Sequence, residues 1–123
     1  MEFDDLSNRV IGCALEVHKS LGPGLLESAY ETCLAHELEL QGLSCIRQRS
    51  VPVHYKGIDL DCGYKSDLVV ENALVIELKS VESLTKVHEA QLLTYLKLSK
   101  IHTGLLINFN ERLLMTGLKR FVL

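Results

Sequence analysis

Apolar residues recur at helical spacing over the first 42 positions of the chain. Residues 4–20 and 24–42 each carry apolar side chains three and four positions apart, a pattern typical of amphipathic helices. The segment 21–24, LGPG, separates them with residues that break helices, and Gly42 is predicted to cap the second helix. The pattern predicts two helices that pack together as an N-terminal layer.

The pattern then changes to an alternation of apolar and polar residues, which indicates strands. Three strands are predicted, at 43–57, 58–70 and 73–80, with Pro52 marking an edge or bulge in the first. Glu71-Asn72 forms a turn between the last two. We expect an antiparallel strand series in this part of the chain.

Helical spacing returns at 83–100, and a continuous apolar run follows at 102–109, typical of a strand covered on both faces. Residues 117–123 are a predicted last strand. The order α-α-β-β-β-α-β-β predicts an α+β or mixed α/β fold. A length of 123 residues fits one domain, 1–123.

Composition narrows the possible partners. A net charge of −3 counts against strong non-specific DNA binding by a monomer, although it does not exclude a local basic patch. No apolar run approaches the length of a membrane span, and the acidic N-terminus lacks the apolar core of a signal peptide. We therefore expect a cytoplasmic protein with no membrane partner.

Charged residues inside the predicted strands are the first sign of chemistry. Glu77 and Lys79 are two positions apart and share a strand face. A three-residue loop at 71–73 would place Asp67 directly opposite Glu77, whereas a two-residue loop would shift the register by one. The residues alone leave these two registers open.

Two adjacent carboxylates repel each other, and leaving them unpaired in a partly buried site costs free energy. A hard divalent cation bound between them removes this cost. Mg²⁺ prefers oxygen ligands and is commonly held by one or two carboxylates together with substrate phosphate. Lys79 beside it could position or deprotonate an attacking water, or offset charge on a pentavalent phosphorane. The alternative for Asp67, Glu77 and Lys79 is a salt-bridge lattice on a surface ribbon.

Three short motifs resemble a known family. Asp67 followed by Glu77-Leu78-Lys79 is similar to the signature of the PD-(D/E)XK nuclease superfamily, with Ser66 in place of the usual proline. Residues 91–95, QLLTY, look like the QxxxY element of its exonuclease-like branch. Residues 24–30, GLLESAY, match the motif that names the GxxExxY proteins, which are assigned to the same superfamily. The resemblance runs from about residue 21 to residue 121.

The resemblance implies a restriction-endonuclease-like core, in which a mixed central sheet is flanked by helices. It implies that Asp67 and Glu77 bind Mg²⁺ or Mn²⁺, with the backbone carbonyl of Leu78 as a further ligand. Glu27 would reach over the end of the sheet toward the metal.

The resemblance also implies catalytic roles for Lys79, Glu77, Asp67, Gln91 and Tyr95. Lys79 would be the catalytic lysine, while Gln91 and Tyr95 would orient the site or contact substrate phosphate. Ordinary helix packing is the alternative for the last two.

Two functions follow from these observations. The first is a metal-dependent nuclease that hydrolyses nucleic acid, with DNA the expected substrate; the resemblance to the superfamily implies products that carry 5′-phosphates. The second is a non-catalytic module that keeps the nuclease fold and binds nucleic acid or protein. A homodimer would supply a larger recognition surface, and the apolar first helix either forms that contact or completes the core.

Overall fold

The computed structural model describes residues 4–123, so the first three residues of the predicted domain lie outside the described residues. No helix in this part of the chain is long and apolar enough to cross a membrane. The elements, in chain order, are α1 (Asp5–Leu21), α2 (Glu27–Leu40), β1 (Cys45–Ser50), β2 (Val53–Tyr55), β3 (Ile58–Leu60), β4 (Lys65–Val70), β5 (Leu74–Lys79), α3 (Lys86–Ser99), β6 (Thr103–Asn108), a 3-10 helix (Leu114–Gly117) and β7 (Leu118–Val122).

The three predicted helices are present; the first begins one residue later than expected, and the other two begin three residues later. α1 begins after Asp4, whose side chain accepts the N–H of Ser7 at 2.7 Å. α2 begins at residue 27 rather than 24, because residues 23–25 form a bend in which Gly24 has a φ of +99°, and Leu26 at the N-cap is extended. α3 begins at residue 86 rather than 83, where Thr85 and His88 form a capping box.

The end of α2 differs by one residue from the prediction. The C-cap is Gln41 rather than Gly42. Gly42 follows it with a φ of +74°, a left-handed conformation that glycine adopts without steric cost. Gly42 therefore terminates α2 from the position just beyond the cap.

The central sheet is mixed and has the strand order β1-β4-β5-β6-β7. β4 pairs antiparallel with β1 and β5, while β6 pairs parallel with β5 and antiparallel with β7. The parallel pair is joined through α3, as parallel neighbours require a long crossover. This arrangement of three helices and a mixed sheet confirms the α+β fold.

Two of the three strands predicted before α3 are each divided in the structure. Pro52 separates β1 from β2, and residues 61–64 separate β3 from β4. β2 and β3 pair only with each other and form a two-stranded ribbon. The ribbon is mostly solvent-exposed, so alternation alone did not indicate that it leaves the main sheet.

The β4–β5 turn sets the register of the charged strands. Val70 pairs with Leu74, which leaves the predicted three-residue loop 71–73. Glu71 and Asn72 have φ values of +53° and +50°, as in the turns that match the twist of a hairpin. The first of the two registers left open by the sequence is therefore the one that forms.

Two apolar cores cover the two faces of the sheet. The larger packs α1 and α2 against one face and includes Leu68, Ile76 and Leu78. The smaller packs α3 against the other face and includes Val69 and Val75. Most apolar side chains of α1 are buried in the larger core, so the helix completes the core, while its role in a dimer contact stays a prediction.

Candidate active site

Asp67 and Glu77 lie side by side where β4 and β5 separate. The last pair in the ladder is Leu68 with Ile76, and the next positions in this register are Asp67 and Glu77. There the Oδ2 atom of Asp67 accepts the N–H of Leu78 at 2.8 Å. The Asp67 side chain thus accepts a backbone N–H that would bond to a carbonyl of β4 if the ladder continued. This hydrogen bond fixes the carboxyl group between the two strands.

Glu77 is almost completely buried, with 4% of its surface exposed. Burial, the largest cause, and the neighbouring Asp67 carboxylate together raise the pKa of Glu77 to about 9. The positive charge of Lys79 acts in the opposite direction. At neutral pH the carboxyl of Glu77 therefore carries a proton in the absence of a cation.

The donor set fits a hard divalent cation. The Oε1 atom of Glu77 is buried and has no hydrogen-bond partner among residues 4–123, a costly state for a polar atom. The Glu77 carboxyl group as a whole lies beside that of Asp67, and the two groups are close enough to share a hydrogen bond that leaves Oε1 unpaired. Oxygen atoms in such a pair are the ligands that Mg²⁺ prefers, and a cation would satisfy the atom that the protein leaves unpaired.

Lys79 occupies the end of β5 on the same face as Glu77. Its backbone is held by β6, because it pairs with Asn108 and its carbonyl accepts the N–H of Phe109 at 2.9 Å. The side chain is half-buried. The lysine is thus placed on a rigid strand, with its charge close enough to lower the pKa of Glu77.

Gln91 and Tyr95 lie on the face of α3 that is turned toward the carboxylates. Gln91 donates from Nε2 to the hydroxyl of Tyr95 at 3.0 Å. Burial raises the pKa of Tyr95, and the charges of Glu77 and Asp67 contribute to the rise. The structure therefore brings this α3 pair into the same electrostatic environment as the two carboxylates.

Glu27 is placed differently from the other predicted site residues. It is the exposed first residue of α2, on the opposite side of the sheet from α3. The segment that leads into α2 does lie near the end of β5, since Ser80, the residue after β5, donates to the carbonyl of Leu25 at 2.6 Å. However, among residues 4–123 no three Asp, Glu, His or Cys side chains form a group that could hold a metal ion, so Glu27 is not gathered with the strand carboxylates.

A polar network behind Asp67 was not found from the sequence. Gln48 is directly opposite Asp67 in the β1–β4 register, and its amide donates to Asp67 at 3.3 Å and to the buried Glu31 at 2.5 Å. Arg47 donates to the other oxygen of Glu31 at 3.0 Å. One sequence feature could have indicated it: Glu31 is four residues after Glu27 and therefore lies on the same face of α2 as that predicted site residue.

The backbone of Gln48 supports the importance of this network. Its φ of +51° lies in the left-handed region although it sits within a strand. Non-glycine residues rarely adopt this conformation, and such strain clusters at functional sites. Gln48 is thus held in an unfavourable conformation while its amide bridges α2 and Asp67.

Tyr30 of the GLLESAY motif is a core residue. Its ring is fully buried and stacks on Phe109 with centroids 4.5 Å apart. Its hydroxyl donates to Gly22 at 2.6 Å and accepts the N–H of Leu25 at 3.1 Å. Tyr30 therefore fixes the segment that leads into α2, and Glu27 begins the helix from that fixed position.

A groove of about 380 Å³ continues from the α3 side of the site. We name it the α3 groove. Six residues of α3 form one wall, among them Gln91 and Tyr95, and Val53 and Tyr64 form the other. The rings of Tyr64 and Tyr95 are 6.4 Å apart and tilted by 54°.

Comparison with known proteins places these features in a wider group. The sequence model of the PD-(D/E)XK nuclease superfamily matches residues 4–121. No curated protein and no solved structure matches the chain. The match spans every predicted site residue, while membership of the GxxExxY branch and the role of each residue stay predictions.

Proposed function

The chain belongs to the PD-(D/E)XK nuclease superfamily, and we propose that it is a metal-dependent nuclease that hydrolyses phosphodiester bonds of DNA. One observation carries the proposal. The protein buries an unpaired carboxyl oxygen of Glu77 beside a second carboxyl group, that of Asp67. This arrangement is unfavourable for the protein alone and becomes favourable when a divalent cation binds.

The proposed cation is Mg²⁺ or Mn²⁺, held by Asp67, Glu77 and the backbone carbonyl of Leu78. Glu27 is the proposed additional ligand, because the segment just before it contacts Ser80 after β5. When bound, such an ion polarises a phosphoryl oxygen and lowers the pKa of water. The network of Gln48 and Glu31 would hold the Asp67 carboxyl in position.

The other site residues act on the substrate. Lys79 would bring positive charge to the phosphoryl group, where charge develops as the bond breaks. Gln91 and Tyr95 would donate hydrogen bonds to a substrate phosphate, as both carry donors on the site-facing side of α3. The rigid strand and helix that carry these groups favour precise placement of the reacting phosphate.

Calorimetric titration with Mg²⁺ and Mn²⁺, run beside cleavage of labelled single-stranded, duplex and branched DNA, tests the proposal. We expect Asp67→Asn and Glu77→Gln each to lose metal binding and metal-dependent cleavage together. Glu16→Gln is a matched control, because Glu16 is an exposed carboxylate on α1. Circular dichroism of each variant establishes that the fold is retained.

The outcomes separate the two functions. Cleavage that persists unchanged in the Asp67→Asn variant would show that the activity does not come from this site. Nucleic-acid binding by the wild type without cleavage of any DNA or RNA would favour the alternative, a non-catalytic module that uses the α3 groove for binding. Cleavage of RNA but not DNA would change the proposed substrate to RNA and leave the proposed mechanism unchanged.

We also propose a cytoplasmic location and a homodimer. All four cysteines are free thiols, as is usual in a reducing compartment. A second copy would extend the recognition surface of a small acidic domain by symmetry. Light scattering over a range of protein concentrations tests the dimer, and a constant monomer mass would refute it.

A further inference from the structure

The α3 groove adjoins the candidate site and presents an aromatic face to solvent. Tyr64 is 50% exposed, and its ring contacts the buried ring of Tyr95 on one side. Tyr95 and Gln91 belong both to the groove and to the site face of α3. A strand whose phosphate lies at Asp67 and Glu77 would therefore have a neighbouring nucleotide beside Tyr64.

Beyond Gln91 and Tyr95, which lie at the edge next to the carboxylates, the lining of the groove suits a base rather than a phosphate. None of its eight lining residues is charged, and most are apolar. Every nucleobase has a π-face that stacks on an aromatic ring, whereas a phosphate requires cationic or multiple polar donors. The nearby positive charge, Lys79, lies instead at the carboxylates, where the phosphate would bind.

From this arrangement we propose that the α3 groove binds an unpaired nucleobase of the substrate strand by stacking on Tyr64. The inference rests on the proposed nuclease function and specifies its substrate class as single-stranded DNA. A base within a duplex is already stacked and paired, so it could enter the groove only after leaving the helix, at a cost in free energy. Single strands present such bases without that cost.

Fluorescence anisotropy of labelled oligonucleotides in EDTA measures binding without cleavage. We expect Tyr64→Ala to weaken single-strand binding by roughly 5- to 150-fold, the range for losing one stacked base. Tyr64→Phe keeps the ring and should bind within about twofold of the wild type. Tyr55→Ala is the matched control, because Tyr55 is a similarly exposed tyrosine, 59%, outside the groove.

An abasic oligonucleotide series shows whether Tyr64 contacts a base. One abasic position should weaken wild-type binding by the same factor as Tyr64→Ala, with little further loss when the two changes are combined. Independent, multiplicative losses would overturn the proposal. So would equal affinity of the wild type for single strands and duplex, or a Tyr64-dependent change in molecular mass, which would show that a second copy fills the groove.

Failure of this inference differs from failure of the proposed function. Metal-dependent cleavage with binding that is insensitive to Tyr64→Ala would overturn the groove proposal and leave the nuclease intact. Tyr64-dependent binding of single strands without cleavage by the wild type would support the groove and overturn the nuclease.

Discussion

Replacement of Glu77 by glutamine should change how stability depends on pH. The folded chain holds a proton on Glu77 with a pKa of about 9, against an ordinary value of 4.5. Between these values the folded state binds one more proton than the unfolded state, so the free energy of unfolding falls as pH rises. This contribution is fully present below pH 4.5 and is lost as pH rises through about 9.

The size of the effect follows from the pKa values. One pKa unit corresponds to about 1.4 kcal/mol, so raising the pH from 5 to 8 should cost the metal-free wild type about 4 kcal/mol through this group. Glutamine has a similar shape but does not titrate. The difference in unfolding free energy between Glu77→Gln and the wild type should therefore shift by about 4 kcal/mol in favour of the variant, a large part of the roughly 5–15 kcal/mol typical of a domain.

Urea unfolding in EDTA at each pH from 5 to 8 provides the measurement. The comparison cancels the titration of distant groups, and Glu16→Gln on α1 should follow the wild type throughout. Asp67→Asn should reduce the pH dependence, because the Asp67 charge is the second largest cause of the raised pKa. Parallel stability profiles for the wild type and Glu77→Gln would refute the reasoning.

Metal addition should reverse the same effect. A divalent cation binds the ionised carboxylates, so at pH 8 it should stabilise the wild type by about 3 kcal/mol at a concentration near 100 times its dissociation constant. Glu77→Gln should gain far less. An equal gain in both proteins would place the cation elsewhere.

Three further predictions concern neighbouring residues. Gln48→Asn tolerates the left-handed backbone but shortens the reach to Asp67, so metal affinity measured by calorimetry should fall about 10-fold; an unchanged affinity would argue against the positioning role. Lys79→Met should abolish cleavage while calorimetry still detects metal binding, and full activity would contradict its catalytic role. Gly104→Ala would place a Cβ 2.9 Å from the buried Leu92 side chain, so urea unfolding should show a free energy of unfolding lower by about 1–3 kcal/mol. An unchanged free energy of unfolding would mean that the Leu92 side chain can move aside.

The local patterns in the sequence determined much of the site. The spacing of Glu77 and Lys79 placed both on one strand face, and the turn near Glu71 and Asn72 limited the strand pairing to two registers, one of which sets Asp67 opposite Glu77. These relations depend on residues close in the chain, and strand alternation and turn length are properties that short segments carry by themselves.

Only the tertiary structure decided the rest. Residues 43–57 and 58–70 each contribute one strand to the main sheet and one to the exposed ribbon. Which strand joins the main sheet depends on which one packs against a helix, and apolar–polar alternation is the same for strands of the sheet and of the ribbon. Gln48 reaches Asp67 and Glu31 because three distant segments pack together, and Glu77 loses water because α3 covers its face of the sheet. Burial and the pKa that follows from it arise from contacts between elements far apart in the chain, so no local pattern encodes them.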